Sequence, residues 1–185
     1  MINIVHLLSG GMDSVTMLHE MVADKCNVFA LSFNYNQRHK KELSYARSHA
    51  QKLGVKIREI EMIDLGGLKN GEWIVPNRNA IFCNIAINIA IKAKADSVTI
   101  GCNADDQSMF PDCSLSFIKS INETTLKAGS NIKIKAPYLN LTKKQIAKKA
   151  RSFGILKNDF LWCYQGKPDG CGKCPACEKM EDAWL

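Results

Sequence analysis

The sequence predicts an α/β protein, a doubly wound parallel sheet with a small cysteine-rich tail, and three observations carry that expectation. Short apolar runs alternate with helically spaced runs across residues 1–158. A stretch of six residues almost without hydrophobic content, Ser9-Gly10-Gly11-Met12-Asp13-Ser14, joins the first strand-like run to the first helical one. In residues 159–185, Gly, Cys and Pro replace the periodic pattern, and Cys163, Cys171, Cys174 and Cys177 gather in one short segment.

The elements follow in order. "NIVHLL" reads as a strand and "DSVTMLHEMVADK" as a helix; then come strand "NVFALSF", a helix from about Lys41 to Leu53, and strand "VKIREI". A loop rich in glycine, "DLGGLKNGEWIVPN", precedes the helix "NAIFCNIAINIAIKAKA". Strand "SVTIGC", a polar loop containing "DDQSMFPDC", helix "SLSFIKSINETTLKAG", strand "IKIKAP" and helix "TKKQIAKKARSFG" complete the alternation. Repeated strand and helix units imply a parallel sheet covered on both faces, with ligands at the carboxyl ends of its strands.

Composition excludes several classes. With 46% hydrophobic and 23% charged residues in 185, the chain can bury a proper core and is not disordered. Its most apolar segment is broken by Asn84 and Asn88 and is too short to span a bilayer, and "MINIVHLL" lacks the basic flank of a secretory signal. No membrane partner is expected, and the expected location is cytoplasmic. The net charge of +7 is spread along the chain, which suits a solvated surface or anionic small substrates better than a nucleic-acid footprint.

An apolar strand, a small flexible turn and an amphipathic helix form a cradle for an anion, because free backbone N–H groups converge at the helix start. Gly10 and Gly11 let the backbone approach a phosphate closely, Ser9 and Ser14 add hydroxyls, and Asp13 either caps the helix or helps to hold Mg²⁺. A Walker-type loop would carry a lysine for the β- and γ-phosphates. This one has none, so transfer of the γ-phosphate is not the chemistry it points to. Arg38 and His39 follow the second strand and could meet a phosphate or a substrate carboxylate, and Arg78 and Asn79 precede a buried helix at the same edge. Asp105, Asp106, Ser108 and Asp112 follow the fourth strand, where carboxylates suit either Mg²⁺ or the donor edge of a base.

The loop resembles that of the pyrophosphate-loop ATPases, which transfer AMP to a substrate oxygen and release pyrophosphate. With Tyr-Asn-Gln-Arg-His at 35–39, Val-Pro-Asn-Arg-Asn at 75–79, Pro-Asp-Cys at 111–113 and the C-terminal cysteines, all in order, the sequence is similar to the 7-cyano-7-deazaguanine synthase family over nearly its whole length. The resemblance implies a fold of the adenine nucleotide alpha-hydrolase-like type and an ATP-dependent carbon–nitrogen ligase. Its substrates would be 7-carboxy-7-deazaguanine, ammonium and ATP with Mg²⁺; one Zn²⁺ per chain, a homodimer and no nucleic-acid partner are implied as well. Carried onto this chain, Leu8, Ser9, Gly10, Gly11, Met12, Asp13, Ser14, Val15, Thr16, Met17 and Leu18 would bind ATP. Asp13, Arg38, His39 and Arg78 would be catalytic, and Asn79, Asp106, Ser108, Phe110 and Asp112 would contact the base. The chain departs from the family pattern at Asn77, where glycine is common, and in the Ser108–Ser114 loop, which lacks a glycine, a tyrosine hydroxyl and an arginine. It is also shortened between Glu61 and Val75. The product therefore stands open between the nitrile and an amide.

Cys163, Cys171, Cys174 and Cys177 form the strongest metal signal, since one tetrahedral ion could gather four thiolates so spaced. An iron–sulfur cluster begins with the same C-x-x-C-x-x-C run. Turns at Gly172 and Pro175 and a chemistry without electron transfer favour Zn²⁺. Such a cluster also keeps open a pyrophosphate-loop enzyme that modifies tRNA. Cys26, Cys83 and Cys102 fit small core positions.

Overall fold

A computed structural model describes residues 1–62, 65 and 75–184. The chain runs β1 (Asn3–Leu7), α1 (Met12–Ala23), β2 (Asn27–Asn34), α2 (Glu42–Lys52), β3 (Lys56–Glu61), α3 (Arg78–Lys92), β4 (Ser97–Thr99), α4 (Leu115–Lys127), β5 (Lys133–Lys135), α5 (Lys143–Ser152) and α6 (Pro175–Trp184). The five strands form one sheet in the order β3-β2-β1-β4-β5, and every pair is parallel. From β1 the chain winds outward to β3, then crosses back to place β4 on the other side of β1. That reversal opens a crevice outside the carboxyl ends of β1 and β4.

Strand alternation divides the core into two layers. Ile4, Val28 and Ala30 face α1 and α5, joined by Val15, Leu18, Ala46, Ile146 and Phe160. Val5, Leu31 and Val98 face α3 and α4, joined by Cys83, Ala86, Ala90 and Ile118. His6, fully buried on β1, pins the layers together: one ring nitrogen lies 2.8 Å from the Ser14 carbonyl and the other 2.8 Å from the Thr99 hydroxyl. Burial pulls its pKa down to about 4, so the ring is neutral at pH 7.

Three details differ from the sequence reading or extend it. First, β4 and β5 each keep only three residues of the runs "SVTIGC" and "IKIKAP". The chain leaves the ladder where Gly101 meets α1: a Cβ there would stand 3.3 Å from the Ser14 nitrogen. The edge of β5 is covered by Asn122 of α4, which accepts from the Ile134 N–H (2.7 Å) and donates to its carbonyl (3.0 Å). Second, the turn before α3 survives without glycine, because Asn77 adopts φ +59°. Third, the tail contains a helix the sequence reading lacked. Pro175 opens α6, and Met180 and Ala183 bury against the α1–α5 layer. The shortened segment between Glu61 and Val75 lies largely outside the described residues. Among the described residues, no helix is long and apolar enough to cross a membrane.

Candidate active site

The loop between β1 and α1 is organised by its own polar atoms. The Ser9 N–H donates to the Ser14 hydroxyl (3.2 Å), the Gly11 N–H to the Ser9 hydroxyl (3.2 Å), and Ser14 Oγ to the Gly11 carbonyl (3.1 Å). Gly10 has φ +96°, and a Cβ there would lie 2.0 Å from the Glu42 carbonyl oxygen, so only glycine fits. No side chain caps α1 at Gly11, which leaves its first N–H groups facing the crevice. The backbone after the second core layer closes on this loop, where the Leu161 N–H donates to the Gly10 carbonyl (3.1 Å).

Charged side chains converge just above. Asp13 Oδ2 accepts from Asn103 (2.7 Å) and from the Lys143 ammonium (2.7 Å), while its Oδ1 is buried without a hydrogen-bond partner. Asp106 takes Lys143 at 3.3 Å and Asn103 at 2.6 Å on Oδ2, and Lys179 at 3.1 Å on Oδ1. Burial penalises the Lys143 ammonium, yet the two carboxylates outweigh it and hold its pKa above that of an ordinary lysine. Burial acts likewise against the Asp106 carboxylate, and Lys143, Asn103 and Lys179 hold it below the usual range. The orphaned Asp13 Oδ1 is the kind of oxygen a hard divalent cation takes, so the residues present fit Mg²⁺.

The opposite wall comes from β2 and α3. Gln37 fixes the turn after β2 by accepting from the Tyr35 N–H (3.0 Å) and donating to Glu42 (3.1 Å), whose other near neighbour is His39 at 3.3 Å. Phe33 and Phe82 stack with centroids 4.1 Å apart, and Arg78 donates to the Tyr35 hydroxyl (3.0 Å) while lying over the Tyr35 and Phe82 rings. Between these walls lies a cavity of roughly 340 Å³.

Of the residues singled out from sequence, Leu8, Ser9, Gly11, Met12, Asp13, Ser14, Arg38, His39, Arg78, Asn79, Asp106 and Phe110 line this cavity. Val15, Thr16, Met17 and Leu18 point into the core instead, each 1% exposed or less. Ser108 lies on a separate surface depression beside Thr142 and Lys144. The carboxylates of the 101–113 loop divide their work. Asp105 accepts from the Lys143 N–H at the start of α5 (2.7 Å), Asp106 joins the charged cluster, and Asp112 accepts from the Asn79 N–H (3.3 Å) at the start of α3. Sequence reasoning missed Lys143, Asn103, Lys179 and Phe82, and it named Tyr35 only as part of a motif. A signal existed for Lys143, which opens the helix that follows the last strand.

Cys163, Cys171, Cys174 and Cys177 bring their sulfurs within 4.8 Å of one another. A tetrahedral Zn²⁺ with bonds of about 2.3 Å sets its sulfurs about 3.8 Å apart, and the Cys171–Cys177 separation is 3.8 Å. The donor set therefore fits zinc. The Lys173 N–H, the main influence on the Cys171 thiol, helps to pull its pKa down to about 7. Cys163 also lines the cavity, so the cluster and the crevice share a wall.

The family described as "Queuosine biosynthesis protein QueC" matches residues 3–72 and 67–185. A 7-cyano-7-deazaguanine synthase of Hahella chejuensis is 35% identical over 199 residues, covering 96% of this chain and 86% of that protein. The corresponding protein of Alteromonas mediterranea is 36% identical over 203 residues, covering 98% and 93%. Among solved structures, the U34-tRNA thiolase NcsA of Methanococcus maripaludis with its [4Fe-4S] cluster superposes with a TM-score of 0.61 at 20% identity, over 98% of this chain and 64% of that one. At that identity the likeness extends to the fold alone.

Proposed function

The chain belongs to the queuosine biosynthesis protein QueC family, and on that premise we propose that it is the ligase that converts 7-carboxy-7-deazaguanine, ammonia and ATP into 7-cyano-7-deazaguanine. The observation that carries the reading is one cavity with two unlike ends. An uncapped helix N-terminus beside a carboxylate–ammonium cluster lies at one end, and an aromatic wall lies at the other.

The N–H groups of the α1 start and the Ser9 and Ser14 hydroxyls bind the β- and γ-phosphates. Asp13 Oδ1, buried without a partner, would hold Mg²⁺, which would neutralise phosphate charge when bound. Phe82, Tyr35 and Arg78 hold the deazaguanine ring flat, so that its carboxylate reaches the α-phosphorus. A carboxylate oxygen is a poor leaving group and AMP a good one, so adenylation lets ammonia displace AMP and leave an amide. A second adenylation, now on the amide oxygen, followed by loss of AMP and of both nitrogen-bound protons, leaves the nitrile. Nothing in this sequence needs a nucleophilic side chain or an electron, which is why zinc rather than an iron–sulfur cluster suits the four thiolates. Zinc there supplies structure: Cys163, Cys171, Cys174 and Cys177 hold residues 159–185 as a staple on the nucleotide-binding part, 1–158.

Incubation with 7-carboxy-7-deazaguanine, ammonium, Mg²⁺ and ATP tests the reading by product mass. The nitrile with release of AMP and pyrophosphate is expected. An amide alone identifies an enzyme that stops halfway, and an unconsumed base removes the reading altogether. A homodimer working in the cytoplasm belongs to the same proposal, and sedimentation decides the dimer.

A further inference from the structure

The hexapeptide of the phosphate loop holds no cation, yet adenylation piles negative charge onto the departing pyrophosphate. Among the described residues, four cationic side chains, Arg38, Arg78, Lys143 and Lys179, and the His39 imidazole line the cavity. Arg78 is engaged across the cavity with Tyr35 and Phe82, and His39 sits 3.3 Å from Glu42. Lys179 reaches Asp106 and the Asp105 carbonyl (2.8 Å). Lys143 contacts the first turn of α1 itself, 2.7 Å from Asp13 Oδ2, with its side chain only 20% exposed.

We propose that Lys143 is a catalytic residue, the cation that meets the pyrophosphate as it leaves, and that Lys179 is its positioning residue. The inference rests on the adenylating function proposed above. In the step concerned, a carboxylate oxygen of the base forms a bond to the α-phosphorus. The bond from that phosphorus to the bridging oxygen breaks, and its electron pair departs with pyrophosphate. No proton moves. The Lys143 ammonium stays charged throughout and balances the charge that gathers on the leaving oxygens, in a site where a preorganised charge acts at full strength. Delivered from α5 rather than from the loop, it takes the part for which other phosphate loops use their own lysine.

Asp106 decides where that ammonium stands. Its Oδ1 is occupied by Lys179, and its Oδ2 is shared with Asn103, so Lys143 receives a contact of 3.3 Å from Asp106 against 2.7 Å from Asp13. Without Lys179, Oδ1 of Asp106 would be open to Lys143 and would draw it away from α1. Lys179 lies on α6, two positions after Cys177, so the cysteine staple fixes the helix that sets this balance. The tail thereby becomes part of the construction of the nucleotide site.

The test uses the metal-loaded full chain and reads pyrophosphate release together with product inhibition by inorganic pyrophosphate. Lys143→Met should lower the rate of pyrophosphate release by on the order of 100-fold or more and weaken pyrophosphate inhibition by at least about tenfold, with KM for the base nearly unchanged. Lys143→Gln, whose amide can still donate to Asp13, should behave alike and covers the case in which the apolar variant does not fold. Lys179→Met should lose about tenfold with its metal content intact, and Lys179→Arg should recover most of that. Lys144→Met, on the exposed face of α5, should match the wild type. A folded Lys143→Gln whose release rate and inhibition stay within about threefold of the wild type overturns the proposal. If the wild type consumes no ATP, the functional reading falls instead, and calorimetric titration with inorganic pyrophosphate alone then decides Lys143. Binding lost in Lys143→Gln supports the residue's role, and unchanged binding refutes it.

Discussion

The two ends of the cavity are built by different physics. At the end proposed for phosphate, the phosphate end, α1, the loop after β4, α5 and α6 each contribute polar atoms, and the charges of Asp13, Lys143, Asp106 and Lys179 are matched within about a hydrogen-bond length. At the end proposed for the base, the ring end, β2 and α3 contribute flat apolar surface with Arg78 lying over it. A buried ionic network tolerates little displacement, because an unpaired charge in a low-dielectric site is costly. An aromatic wall tolerates much more, since dispersion falls off gently and has no obligatory partner. The phosphate end should therefore govern whether the enzyme works, and the ring end how well it holds its base.

The sharpest way to break this comparison is to remove the metal. The cysteine cluster has a small apolar surround, Trp162, Tyr164 and Ala176, so the knuckle has little apolar core of its own to keep it folded. Metal-ligand free energy on the order of 10 kcal/mol drives folding in small zinc peptides. Chelation should lower the melting temperature by more than any single substitution, and should abolish ATP turnover by releasing Lys179 and the Leu161 contact to Gly10. Elemental analysis alongside calorimetry checks it. A chelated chain with its melting temperature intact would make the four thiols ornamental, and iron with labile sulfide would reopen the sulfur-transfer reading.

Next in size is Gly10→Ala. The residue sits at φ +96° with the Glu42 carbonyl where a Cβ would go. Backbone strain and overpacking together cost about 3–4 kcal/mol. Urea denaturation should lose that much, and any variant that still folds should lose ATP binding, because relief of the clash pushes the loop off α2. Unchanged stability would show that the loop is less tightly docked than its contacts imply.

The hexapeptide was legible in the sequence because its contacts close within five positions, as in Ser9 with Ser14. The four cysteines were legible for the same reason of spacing. Lys143 and Asp13 stand 130 positions apart and Asn103 and Asp13 stand 90 apart, and no local pattern announces such pairs. Helix α6 was hidden because its apolar face is written as Cys177, Met180 and Ala183, a stripe that composition disguises as a knuckle. From a polar loop at the ligand edge, Ser108 and Asp112 read as substrate residues; the fold sets Ser108 on a separate depression and gives Asp112 a contact to the start of α3.

A smaller effect sharpens the phosphate end by pH. His6 is neutral because burial lowers its pKa from 6.5 to about 4, and that neutral ring holds the Ser14 carbonyl. With the folded pKa below the unfolded one, the unfolded chain binds the extra proton between those values. Stability contributed by His6 is thus full above pH 6.5 and is lost as pH falls towards 4. The loss amounts to about 3 kcal/mol over the window. Denaturation series from pH 7 to 4 should show that slope in the wild type and a flatter one in His6→Gln, in which the amide can still donate to Ser14. Equal slopes would assign the acid sensitivity to another group.

The smallest expected effect belongs to the ring end, and it also identifies which ring lies there. Phe82 stacks on Phe33 and borders the cavity under Arg78. Phe82→Leu keeps apolar volume while removing the flat face, and an aromatic stacking preference is worth about 0.5–1.5 kcal/mol beyond area. KM for the deazaguanine acid should rise by about two- to tenfold, while KM for ATP, the rate of pyrophosphate release at saturation and the melting temperature change little. If KM for ATP rises instead, adenine occupies this wall, and the base must then be held nearer Phe110 and Asn79. If neither constant moves, the aromatic pair only packs α3 against β2. The contrast between a demanding phosphate end and a tolerant ring end would then reduce to a contrast between a site and its scaffold.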